Sequence, residues 1–304
     1  MVLSSPVRPL VRLVALLVLA ALPVHALTVA SYNVENYLVT DRLVDGVYRQ
    51  AYPKPEQEKA AVRQVVAGIA PDILAIVEMG KLPFLEELQR DLKAAGQDYP
   101  HAVVLDAADE ARHVALLAKV PFKEVRRHVK LPVTYLGQTD VVRRGVLEVI
   151  FATDQGDVSV FVIHLKSKRT EKPEDPNGAA QRLAEAEAVR DLVLSLYPDP
   201  TKAKFIVCGD WNDARNSKST RALQKRGDTV VGEILRASDS RGELWTHFYR
   251  AEDSYSRIDF LMVSPGLKPL VAGGRGAVYD GPGSTGGSDH RAIYAKLNLQ
   301  PAAR

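Results

Sequence analysis

Phe205-Ile-Val-Cys208 followed by Gly209-Asp-Trp-Asn-Asp213 joins a short apolar run to a knot of polar turn residues. An apolar run bounded in this way reads as a buried β-strand. Its polar end lies where loops on one rim of a sheet can converge. The same layout recurs along the chain. Leu27–Tyr32 runs into Asn33-Val-Glu-Asn36, Ile73–Val77 into Glu78, and Val158–Ile163 into His164, with Lys166 and Lys168 beyond it. Arg257 leads into Ile258–Val263, which carries Asp259 near its head, and Gly287-Ser-Asp-His290 precedes Ala292–Leu297. Val114–Ala118 and Val146–Ala152 read as further strands.

Three segments have helical rather than strand periodicity. Glu56–Ala70 sets Ala60, Val62, Val65, Val66 and Ile69 at helical spacing and meets a stop at Pro71. Leu82–Ala95 and Gln181–Leu196 follow the same pattern. Many strands with few helices between them predict stacked sheets with outer helices, not a regular βαβ alternation. Two small α+β domains meeting near Pro198–Pro200 are the alternative, although no composition shift marks a boundary there. Two stretches read as functional loops: the charged Lys166–Gly178, and Gly273–Ser288, whose seven glycines let the backbone turn sharply or approach a ligand.

The chain has 304 residues, 46% hydrophobic and 25% charged, the profile of an ordinary globular protein. Residues 1–26 read as a secretory leader: Arg8 and Arg12 precede the apolar run Leu13–Leu22, and Val24-His-Ala26 resembles a cleavage site. The apolar run is shorter than the roughly 20 residues a bilayer span needs, so an uncleaved anchor is the lesser reading. The expectation is an exported protein, periplasmic or secreted, with one domain over residues 27–304. The full chain carries a net charge of +3, and loss of Arg8 and Arg12 leaves it near neutral. Global charge therefore argues for no polyanionic partner, and any attraction to phosphate must be local. Cys208 is the only cysteine, which rules out an intramolecular disulfide and a Cys-rich zinc site.

Each polar element has a plain reading on its own. Asn and Asp after a strand are common turn residues, Glu78 could be a solvated loop acid, and His164 could be a hydrogen-bonded edge histidine. Arg257 and Asp259 could pair with each other on one strand face. The joint order is more specific. SYNVEN, VEMG, VIHLKSK, CGDWND, SRIDFLMVS and GSDHRAI, read in sequence from residue 31 to residue 293, resemble the endonuclease/exonuclease/phosphatase superfamily over essentially the whole mature chain. The resemblance implies an α/β (α+β) fold, a four-layer α/β/β/α sandwich of two packed mixed sheets flanked by helices.

The chemistry is coherent with that resemblance. Phosphodiester hydrolysis needs charge neutralisation at a pentacovalent phosphate, an activated water and a stabilised leaving oxygen. Glu78 is the first choice as a ligand for Mg²⁺, with Mn²⁺ as a substitute, because such hard ions prefer carboxylate and water oxygens. The resemblance adds Asn33, Glu35 and Asp289 as metal or metal-water contacts. It casts Asp210 as the residue that orients or deprotonates water, and Asn212 as a donor to a phosphate oxygen. His164 and His290 would contact phosphate and move protons, with Asp259 and Asp289 as orienting carboxylates. His164 resembles the pancreatic-type deoxyribonucleases, sphingomyelinases and secreted bacterial nucleases rather than the apurinic-site repair branch. Lys166 and Lys168 suit phosphate-backbone contact. Arg144 could reach phosphate or make a structural ion pair, and Trp211 could stack on a base or cover the core. The expected activity is a nuclease on DNA or RNA acting as a monomer, with no stable protein partner. A phosphatase or phosphodiesterase for a small molecule or phospholipid headgroup is the alternative, and a catalytically silent binding protein the third reading.

Overall fold

The computed structural model describes residues 26–302. The leader expected over residues 1–26 thus falls, but for its last residue, outside the described residues. Among the described residues no helix is long and apolar enough to cross a membrane.

All eight strands and all three helices expected from the sequence are present, several extended by a few residues. They build two large mixed sheets. The seven-stranded sheet has the order Ala237–Ser238, Gly276–Val278, Ile293–Leu297, Leu27–Tyr37, Ile73–Met79, His113–Ala118, His101–Leu105. The six-stranded sheet has the order Glu233–Ile234, Asp259–Val263, Phe205–Asp210, Gly156–His164, Val146–Thr153, Glu124–His128.

The period-2 alternation of side chains explains how the layers stack. Leu27 and Val29 of one sheet, with Val158, Val160, Val162, Ile206, Cys208, Leu261 and Val263 of the other, belong to one core between the sheets. That core takes residues from both sides of Pro198–Pro200. The opposite face of the seven-stranded sheet packs Ala30, Tyr32, Leu74 and Ile76 on helices α1 (Glu56–Ile69) and α2 (Leu82–Ala94). The outer face of the six-stranded sheet packs Phe161, Phe205, Val207 and Phe260 on α3 (Ala179–Leu196) and α4 (Lys218–Gln224). The arrangement is helix, sheet, sheet, helix. Cys208 lies in the inter-sheet core, where burial pushes its thiol up to about 12.

Two readings that the sequence leaves open are narrowed here. Trp211 is fully buried and packs on Phe260 with ring centroids 5.0 Å apart, so it covers the core and offers no surface to a base. The glycines of 273–288 also serve packing. A Cβ at Gly287 would meet Val62 N at 2.7 Å and Glu58 O at 2.8 Å, so glycine lets this loop lie against α1. At Gly209, with φ 132°, an added Cβ would collide with the carbonyl of Ile163 on the neighbouring strand.

Candidate active site

The site begins where inward-facing rows turn polar. Val158-Val160-Val162 continues to His164, Ile206-Cys208 to Asp210, and Val263-Leu261 to Asp259. These three end residues are register partners, His164 with Asp210 and Asp210 with Asp259. From the facing sheet, Val29-Ser31-Asn33 ends at Asn33, whose Nδ2 donates to Asp210 Oδ2 at 3.1 Å. Alternation thus delivers four polar groups to the rim of the core, all buried.

Glu78 arrives by a different device. The strand pairs Leu27–Tyr37/Ile73–Met79 and Ile73–Met79/His113–Ala118 both slip register beside it. Glu35, Asn36 and Glu78 all have positive φ, at 44°, 53° and 60°. Such bulged, left-handed backbone re-aims side chains and concentrates at functional sites. Here it lets Asn36 N donate to Glu78 Oε2 at 3.0 Å and sets Asn33 Nδ2 3.5 Å from Glu78 Oε1.

His290 closes the cluster. Its Nδ1 donates to Asp259 Oδ2 at 2.8 Å, and its Nε2 lies 3.8 Å from Asp210 Oδ2. Ser288 Oγ donates to Asn33 O at 2.8 Å and accepts from His290 N, which locks the turn onto the seven-stranded sheet. Fully buried Thr246 accepts from the backbone N–H groups of Ile258 and Asp259, fixing the head of that strand.

The electrostatics follow from this packing. Burial pushes the Asp210 carboxyl up to about 7, with Asp259 and Glu78 adding repulsion and His290 opposing it. Burial alone would discharge His290, yet Asp259, Asp210 and Asp289 outweigh it and hold the imidazole well above its ordinary value. His164 shifts the other way, through burial and then the charges of Arg144, His290, Arg112 and Lys166. The two histidines are therefore distinct: the surrounding carboxylates favour the imidazolium form of His290, whereas burial and nearby cations favour the neutral ring of His164. His164 Nε2 lies 3.7 Å from Asp210 Oδ2 and 3.9 Å from Glu78 Oε1, while its Nδ1 has no hydrogen-bond partner among the described residues.

A cavity of about 380 Å³ opens beside this cluster, lined by acidic Glu35, Glu78 and Asp289 with Asn36 and by basic Arg112, Arg144 and Arg169; the two sets meet where Arg112 Nε lies 3.8 Å from Glu78 Oε2. The acidic set suits a hard divalent cation. Its donors are oxygens, and the buried Asn36 Oδ1 has no partner among the described residues. Burial and then the charge of Asp289 push Glu35 up to about 7, and a bound cation would relieve that crowding. Asp210, Asp259 and His290 also place donor atoms within 4.8 Å of one another. A protonated His290 is no ligand, so this trio reads as a proton network.

Other sequence candidates fall in different places. Glu35 Oε2 accepts from Asp289 N at 2.9 Å, which ties two expected metal contacts together. Asn212 Nδ2 donates to Leu165 O at 3.0 Å, and Asn212 does not line the cavity. Arg144 pairs with Asp109 at 2.8 Å, the structural ion pair of its second reading, and also lines the cavity. The Lys166 ammonium is held by the carbonyls of Ser167 and Arg169, and Lys166 itself does not line the cavity. Lys168 is exposed and does not line the cavity; Arg112 and Arg169 line it instead. Arg257 does not pair with Asp259, since its guanidinium donates to Leu235 O and Ala237 O.

Sequence reasoning missed Asn36, Arg112 and His247. His247 Nε2 lies 3.6 Å from Asp289 Oδ2, and its ring sits 4.6 Å from that of His290. Burial would raise the Asp289 carboxyl, but His247 and His290 hold it below the ordinary carboxylate range. Segment 246–248 runs antiparallel to 289–291, through Phe248 N to Asp289 O and Arg291 N to Thr246 O. Nothing local in Trp245-Thr-His-Phe-Tyr249 announces that pairing; only the late SDH motif hints that a partner segment is needed.

Comparison with known structures supports the same architecture. Sphingomyelinase C from Streptomyces griseocarneus is 16% identical with a TM-score of 0.61, covering 90% of this chain and 99% of that one. The human Nocturnin catalytic domain with bound sulfate is 15% identical with a TM-score of 0.60, covering 90% and 95%. A Staphylococcus aureus beta toxin mutant with bound magnesium ions is 15% identical with a TM-score of 0.62, covering 90% and 99%. Comparison with curated proteins finds no sequence match. The profile of the Endonuclease/Exonuclease/phosphatase family matches residues 30–290, a span that runs from the first inward-facing strand to His290, and the chain belongs to that family of phosphoesterase hydrolases.

Proposed function

We propose that this protein is an exported, Mg²⁺-dependent nuclease that hydrolyses DNA or RNA phosphodiesters as a monomer. The phosphodiesterase reading rests on one observation: the buried chain Asp259–His290–Asp210 lies beside a cavity lined by both carboxylates and arginines. Asp210, titrating near neutrality, takes the proton of the attacking water. His290, oriented by Asp259, presents its Nε2 proton to a phosphoryl oxygen, and neutral His164 adds a second hydrogen bond there. Arg112 and Arg169 offset the growing negative charge. A divalent cation held by Glu78, with Asn33, Glu35 and Asp289 near it, supplies charge neutralisation at the phosphate and leaving oxygen.

An aromatic wall supports nucleic acid as the substrate. Trp245, Phe248 and Tyr255 line a cavity of about 390 Å³ that also includes Asp289. Bases stack on such rings irrespective of sequence. A quaternary ammonium headgroup fits poorly, because Arg250 lines the same cavity and the Arg291 guanidinium sits 3.5 Å over the Trp245 ring. Export rests on the composition of residues 1–26 alone.

The test is a substrate panel of plasmid DNA, RNA, sphingomyelin and inositol phosphates, run with Mg²⁺ and with chelator. Cleavage of nucleic acid that chelator abolishes and Mg²⁺ restores is expected. Cleavage of only the lipid or the inositol phosphates would overturn the nuclease assignment, and cleavage indifferent to chelator would overturn the metal.

A further inference from the structure

Arg215, Arg236, Arg257 and Arg275 are scattered in sequence, yet they line one cavity of about 680 Å³. No carboxylate is among its lining residues. Two of the four are anchored: Arg257 donates to Leu235 O at 2.9 Å and Ala237 O at 3.4 Å, and Arg275 donates to Ser238 Oγ at 2.6 Å. The other two, Arg215 and Arg236, are exposed, and their side chains make no hydrogen bond or ion pair among the described residues. The Arg257 Nε is buried without a partner. Burial and then the charge of Arg215 bring Arg257 down to about 10. Gathering like charges costs free energy; Asp259 offsets part of it at Arg257, but no carboxylate lines the cavity itself. Guanidinium forks match phosphate oxygens bidentately, which makes a multiply charged phosphate ligand the natural counter-ion.

The position of the cavity says which phosphate ligand. Arg215 lies in the loop that leaves Asp210 and Asn212, and Arg257 directly precedes Ile258 and Asp259. Both are therefore at the catalytic end of the six-stranded sheet. Gly242 and Leu244 line the arginine cavity, and the adjoining Trp245 lines the aromatic one beside Asp289. Charge, then stacking surface, then the reactive cluster follow one another along this rim, which is how single-strand tracks are built. We propose that the four-arginine cavity is a second phosphate site, holding a backbone phosphate of a nucleic-acid strand while another is cleaved at Asp210 and His290. This inference rests on the nuclease reading. The site also adds to the local positive charge that Arg112, Arg144 and Arg169 place at the active-site cavity.

The experiment measures binding of a short single-stranded DNA oligonucleotide in chelator, by fluorescence anisotropy across a salt series. The unaltered protein is compared with Arg215→Gln, Arg236→Gln and the double variant; both side chains are free of hydrogen bonds, and unfolding midpoints confirm the fold. Each single variant is expected to weaken binding several-fold at low salt. Each should flatten the slope of log affinity against log salt by about 0.7, the value for one phosphate contact on a single strand. Turnover of bis(p-nitrophenyl) phosphate, which carries one phosphodiester, should not change. Unaltered affinity and slope in the double variant would overturn the site even if DNA is cleaved, as would absence of binding by the unaltered protein. An arginine-dependent slope on DNA that is never cut with Mg²⁺ would retain the second site and overturn the nuclease reading.

Discussion

Replacing Asp210 by Asn is expected to cut phosphodiester turnover by at least ~10²-fold while leaving the protein folded, the loss typical when a general base is removed. The carboxyl is buried and crowded by Asp259 and Glu78, which is why it titrates near 7. Native packing holds it there at a cost in stability, a common condition of functional groups. An Asn keeps an oxygen for the N–H of Asn212, now 2.7 Å from Asp210 Oδ1, and removes the repelling charge. The new amide would, however, face Asn33 Nδ2, which donates to Asp210 Oδ2 at 3.1 Å, so relief of repulsion and a lost hydrogen bond oppose each other and the unfolding midpoint should change little as kcat falls. A parallel collapse of both would make Asp210 a structural residue, and a folded variant with full turnover would remove it from the chemistry.

The largest stability effect is expected away from the chemistry, at Asp239→Ala. Asp239 Oδ2 lies 2.8 Å from Arg291 Nη1, and both side chains are almost fully buried, at 0% and 2% exposed. Its Oδ1 also accepts from the backbone N–H groups of Arg241 and Glu243, at 2.9 and 2.8 Å. Removing one partner strands a buried cation, a change that costs about 3–5 kcal/mol. Urea unfolding reads this directly, and a loss below about 1 kcal/mol would contradict it. Acid should do the same by degrees. Burial raises the Asp239 carboxyl, but the bonds from Arg291, Glu243 and Arg241 outweigh it and bring it to about 2, below the unfolded value of about 3.9. Its contribution is thus fully present above about pH 4 and lost as pH falls toward 2.

Much of the fold was legible because it depends on local pattern. The Val- and Ile-rich strands and three amphipathic helices are periodic, and periodicity survives without tertiary knowledge. The two- and three-residue strands at the sheet edges, such as Glu233–Ile234 and Ala237–Ser238, are too short to show any period. Helix α4 is a single short segment whose packing on α3 decides it. The site divides along the same line. His164, Asp210 and Asp259 could be named because each ends an alternating apolar row. Their partners could not: that His290 pairs with Asp259, or that His247 meets Asp289, depends on segments brought together by register. Side-chain direction decides what the sequence left open. Lys166 follows the strand as expected but curls back onto its own loop, and Trp211 points into the core. The seven-glycine loop was read for ligand approach, whereas Gly287 answers to α1. The four-arginine cavity left no trace in sequence, since no two of its members are neighbours.

The central claim is that residues from Asn33 to His290 form one phosphoesterase site, and a double-mutant cycle tests it most directly. Turnover of one phosphodiester in Mg²⁺ would be measured for Asp210→Asn, His290→Ala and the pair. Groups acting as a unit are strongly non-additive. The predicted result is a loss of at least ~10²-fold in each single variant, with the double variant little worse than the more damaged single. Losses that multiply, or either single variant turning over at the unaltered rate, would contradict a single site.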